Sequence, residues 1–101
     1  MIKMTFENDV FDSFKDARKT MLGSLDSFKY YNPKTGRPIK KLINYSEVVL
    51  YSENDHFGYK GMALLKKVKK GEVIVRREVF DQNENLKFND LWESLMMDIR
   101  W

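Results

Sequence analysis

Six of the twelve residues from 66 to 77 are cations: Lys66, Lys67, Lys69, Lys70, Arg76 and Arg77, with Glu72 the one carboxylate among them. Cations spaced around a tight turn hold anions, and phosphate above all. In an extended strand, residues 66 and 67 point to opposite faces, as do 76 and 77. A strand that is basic on both faces has no side to bury. The sequence therefore predicts a β-ribbon projecting into water, able to lie along phosphates or enter a nucleic-acid groove. Lysines placed this way also aid solubility and guard strand edges.

A second basic stretch holds Lys34, Arg37, Lys40 and Lys41. Its first part, Asn32-Pro33-Lys34-Thr35-Gly36-Arg37-Pro38, has two prolines and a glycine in seven positions, which predicts a turn. It lacks the spacing of a nucleotide-binding phosphate loop. It is read as an exposed turn whose Lys34 and Arg37 can grip phosphate. Tyr30, Tyr31 and Tyr59 lie next to Lys29 and Lys60 and are candidates for stacking on bases. Tyr45, Tyr51, Met97 and Trp101 are candidates for protein contact, because an adaptable methionine beside large aromatics suits such a surface.

Groups for covalent or metal chemistry are sparse. There are no cysteines, which excludes thiolate zinc sites, cysteine nucleophiles and disulfides. His56 is the single histidine; with Asp55 and Glu53 it offers too few ligands for a typical metal site and reads as part of a solvated turn. Ser46, Ser52 and Ser94 have no glycine-flanked elbow. Glu47, Glu78 and Asp81 cannot be paired from sequence alone. No catalytic residue, metal ligand or cofactor is assigned, and the sequence argues against an enzyme.

The net charge of +3 conceals an uneven distribution. Residues 27–80 carry twelve Lys/Arg against five Asp/Glu, while the two ends together carry six against ten. An anionic partner would therefore meet the middle of the chain. No apolar run reaches the roughly 18 residues that span a membrane, and no signal-peptide core follows Met1. With the absence of cysteine, this sets a cytoplasmic expectation. Thirteen Lys against five Arg, seven Asn and two Ala are the usage of an AT-rich genome, as in low-GC bacteria and many of their phages.

The elements that must position these groups follow from periodicity. Phe6, Val10, Phe14, Ala17 and Met21 recur at helical spacing, predicting a helix over about residues 6–25, capped by Thr5 or Asn8. Residues 28–31 read as a short strand. Residues 39–52 alternate, with β-branched and aromatic content from Ile43 onward, predicting a strand. Residues 59–68 and 73–80 read as two further strands joined by a hairpin at Gly71. Phe88, Leu91, Trp92, Leu95, Met96 and Ile99 form the stripe of a C-terminal helix that begins near 85 or 89. The expectation is one α+β domain over residues 1–101. It is an antiparallel meander of three strands, or four if residues 28–31 join, with both helices packed on one sheet face and the other face open.

From these bounds the function expected is a small non-catalytic protein-binding module. It would be an inhibitor or adaptor of the phage or mobile-element kind, occupying a surface of a larger host or cellular protein. The alternatives are nucleic-acid binding through the basic hairpin and the 34–41 region, and a small-ligand-binding domain. A homodimer would add stability to so small a core.

Overall fold

A computed structural model of the chain describes residues 9–22, 28–52, 60–81 and 85–97. Its frame is one antiparallel sheet of six strands with an α-helix on each side. The strands are β1 (Val10–Phe11), β2 (Phe28–Tyr31), β3 (Pro38–Ile39), β4 (Glu47–Ser52), β5 (Lys60–Lys69) and β6 (Glu72–Asp81). They lie in the order β1-β6-β5-β4-β2-β3. The helices are α1 (Phe14–Leu22) and α2 (Phe88–Met96), and a single 3-10 turn occupies Leu42–Asn44.

The centre of the sheet explains why two covers are needed. Residues 48–52 of β4 and 61–65 of β5 are buried at every position, not at alternate ones. Such a run is the mark of a strand sandwiched between two layers. On one face, Val48, Leu50, Ala63, Leu65, Val73 and Val75 pack with Phe14 and Ala17 of α1. On the other, Val49, Tyr51, Met62 and Leu64 pack with Leu91 and Leu95 of α2. The helices therefore take opposite faces, which corrects the expectation that both share one face and leave the other open. The strand count is six, not three or four. Residues 28–31 do join the sheet, as β2, which pairs with β4 from Phe28↔Ser52 to Tyr31↔Val49; the strands not expected are the two-residue β1 and β3.

Boundaries shift for local reasons. Ser13 Oγ accepts the Asp16 amide N–H at 3.2 Å and donates to Asp16 Oδ2 at 3.0 Å, so α1 starts at Phe14. Val10 and Phe11, expected in that helix, pair with Ile74 and Val73 of β6 instead. The proposed caps Thr5 and Asn8 lie outside the described residues. The strand expected over 39–52 is interrupted: β3 ends at Ile39, the 3-10 turn follows, and β4 starts at Glu47. At α2, Asp90 Oδ2 accepts the Lys87 amide N–H at 3.0 Å and fixes the first turn. Lys60 Nζ donates to the Leu86 carbonyl at 2.8 Å, and the Leu86 amide donates to Asp81, tying the entry of α2 to the paired ends of β5 and β6.

Two register shifts shape the basic hairpin. Leu64 pairs with Arg77 but Leu65 with Val75, leaving Arg76 as an extra residue; Lys67 pairs with Val73 but Lys69 with Glu72, leaving Val68 extra. The first bulge carries Val75 to the α1 face and Arg77 to the α2 face. Among the described residues no helix is long and apolar enough to cross a membrane.

Candidate interaction surface

The structure brings part of the basic set to one end of the sheet, while β3 runs back along β2 and leaves Lys40 beside Lys29. β2 runs out at Tyr31 beside Val49, and β5 runs out to Lys69 past Lys66, the partner of Glu47. The 32–37 turn and the hairpin tip thus extend from the same sheet end. The turn is tightly knit. Asn32 N–H donates to the Arg37 carbonyl at 2.8 Å, and Gly36 N–H to the Asn32 carbonyl at 2.8 Å. Asn32 Oδ1 accepts the Lys34 N–H at 2.9 Å. Gly36 takes φ of +72°, which a residue with a Cβ adopts only at a cost. Lys34 and Arg37 are held outward and exposed by this frame, and Lys40 and Lys41 are exposed beyond it.

The hairpin does not present six free cations. Lys66 Nζ lies 3.9 Å from Glu47, and Lys69 Nζ lies 3.1 Å from Glu72. Arg77 is half-buried, while Lys67, Lys70 and Arg76 are exposed. Val73 beside them is buried, so the ribbon is anchored on its α1 face nearly to its tip.

The aromatic candidates are mostly spent on packing. Tyr31 and Tyr51 each bring their rings 4.9 Å from Phe88, and Phe88 stacks on Trp92 at 5.8 Å and 26°. Tyr51 is buried beneath α2. Tyr30 packs on the α1 side, where burial pushes its phenol above the ordinary value while the charge of Arg18 pulls the other way. Tyr45 packs at the edge of the same cluster and lines a cleft. Met97 stands 72% exposed at the end of α2. Tyr59 and Trp101 lie outside the described residues, as does His56. Among the described residues no group of three or more His, Asp or Glu is placed to hold a metal ion.

The cleft was not legible from spacing. It measures about 240 Å³ and is walled by Phe14, Leu42, Tyr45 and Val73, with Lys15 and Lys67 among its lining residues. Three stretches far apart in sequence build it: the start of α1, the 3-10 turn and the end of the hairpin. Ile43 also lines it and is 87% exposed, the most exposed large apolar side chain among the described residues. Sequence reasoning assigned Ile43 to a strand. The signal that could have found it is the exposed pair Lys40-Lys41, which interrupts the alternation that a half-buried strand requires.

No family model, curated protein or solved structure matches this chain.

Proposed function

We propose that this chain is a small protein-binding module of the inhibitor or adaptor kind, and that it meets its partner through the surface around Ile43. The observation that carries the reading is the 87% exposure of Ile43 on a short 3-10 turn beside an apolar cleft. An apolar side chain held out on an ordered turn, with packed aromatics beneath, resembles the anchors that protein interfaces desolvate. The cleft volume of about 240 Å³ falls below the roughly 300–1,000 Å³ of small-molecule sites. It suits one or two side chains better than a ligand enclosed on all sides.

The test is a photo-crosslinker placed at position 43 in the full chain, exposed to nuclease-treated lysate of the cells that make it. Excess unlabelled protein competes in one arm and Ile43→Asp in another. A discrete adduct removed by the wild type and left by Ile43→Asp is expected. No competed adduct would remove the support for this surface.

A second reading, nucleic-acid binding, is favoured by the convergence of the 32–37 turn and the hairpin at one sheet end. The ion pairs at Lys66 and Lys69 and the packing of Tyr30 and Tyr31 count against it.

A further inference from the structure

Two lysines line the Ile43 cleft, and two more stand next to lining residues in the chain. Lys15 and Lys67 line it; Lys41 and Lys70 are the chain neighbours of the lining residues Leu42 and Gly71. All four are exposed, and none has an ion-pair partner among the described residues. Asp12 is the one carboxylate in the lining; of the carboxylates next to lining residues in the chain, Asp16 accepts from Ser13 and Glu72 is paired with Lys69. The site is thus a largely apolar slot lined by one carboxylate, Asp12, and by two lysines without an ion-pair partner among the described residues.

Resting on the protein-binding reading above, we infer that the cleft takes an extended acidic segment of the partner, seating one apolar side chain against Phe14, Leu42, Tyr45 and Val73. Two features select this occupant over a nucleic acid. The exposed anchor Ile43 is aliphatic, and of the two aromatic wall residues Phe14 is buried and Tyr45 is packed against the same core, so neither stands out as a stacking platform. The walls of the slot are apolar, so they reward burial of a hydrocarbon side chain, whereas a phosphate would have to be desolvated against them. The lysines then act at range. They draw in carboxylates flanking the anchor and reject basic segments, as charge complementarity does at protein interfaces.

The occupant can be identified with a random twelve-residue peptide library displayed on phage and selected on the immobilised full chain. Selected peptides are counter-screened on Ile43→Asp and on the Lys15→Glu/Lys67→Glu double variant. Both changes fall on exposed side chains, and unaltered thermal midpoints confirm the fold. Enrichment of peptides with Asp or Glu flanking an apolar residue is expected. Their affinity should fall at least about tenfold on the double charge reversal, the equivalent of about 1.4 kcal/mol, and more at Ile43→Asp.

Other outcomes overturn the inference in distinguishable ways. Peptides without acidic residues, or binders indifferent to the double variant, refute the charge selection and leave the protein-binding reading standing. Failure of any peptide to enrich, together with a competed crosslink at position 43, refutes an extended segment as the occupant. A dimer by sedimentation that Ile43→Asp dissociates makes a second copy the occupant. Salt-steep binding of a short oligonucleotide, abolished by the double variant, assigns the lysines to phosphates and sinks both readings.

Discussion

The ring of Phe80 lies over Gly61, its cross-strand partner between β6 and β5, in the space that a side chain at position 61 would need. A Cβ built on Gly61 falls well inside van der Waals contact with that ring. The glycine is there for room, since the close approach belongs to its neighbour's side chain. Gly61→Ala should therefore destabilise the fold by about 1–3 kcal/mol through overpacking. Urea unfolding of Gly61→Ala and of the Gly61→Ala/Phe80→Leu pair tests this. Relief in the double variant is the expected result; equal losses in both would place the cause elsewhere.

Burial separates what holds the fold from what meets a partner. Leu95 is fully buried between α2 and the sheet, while Ile43 is 87% exposed. Leu95→Ala should cost about 2–5 kcal/mol. Ile43→Asp should move stability by less than about 0.5 kcal/mol while removing the crosslink competition described above. Chemical denaturation of both variants beside the binding assay reads the two effects apart.

Alkaline pH should find Tyr30. Burial raises its phenol pKa above the ordinary 10.0, against the opposing charge of Arg18. The folded state thus holds the proton more tightly than the unfolded one. That contribution is fully present below the unfolded value and is lost as pH rises through the folded one. Thermal midpoints of the wild type and Tyr30→Phe, compared at neutral pH and above pH about 10, should show a steeper alkaline loss in the wild type. Parallel curves would remove Tyr30 as the cause.

The hairpin charges give a separate outcome. Lys69 is already paired with Glu72 at 3.1 Å, an exposed contact worth about 0–1 kcal/mol. Under the protein-binding reading, a titration with short single- and double-stranded DNA and RNA near physiological salt should show no saturable binding. The Lys69→Glu/Lys70→Glu variant should behave as the wild type does there. Tight binding that weakens steeply with salt and disappears in this variant would move the function to the ribbon.

Much of the architecture was written in periodicity. The β5–β6 hairpin at Gly71 and the stripe from Phe88 to Met96 stand where the pattern placed them, within a few residues, while β4 keeps only the second half of the strand expected over 39–52. Helix placement failed for a physical reason that the sequence did contain. Val48-Val49-Leu50-Tyr51 and Met62-Ala63-Leu64-Leu65 are unbroken apolar runs, and a strand open on one face does not need apolar residues at consecutive positions. β1 and β3 were illegible because two residues cannot display a period of two. The bulges at Val68 and Arg76 were hidden for a related reason: register is a property of a pair of strands, and one strand's sequence states only half of it. The cleft needed all of this at once, since its walls come from three separate stretches, around 12–15, 42–45 and 67–73.

The residues that wall the Ile43 cleft come from positions 12–15, 42–45 and 67–73. None of these stretches can present the surface alone, and an emerging polypeptide has no such surface until the hairpin has been made and docked on α1. Whatever occupies the cleft must then bind the completed fold and not the unfolded chain. Occupancy should raise the melting temperature in proportion to the logarithm of ligand concentration once saturation is passed. A heat-shift screen would thus report occupants of this surface without any assumption about what they are.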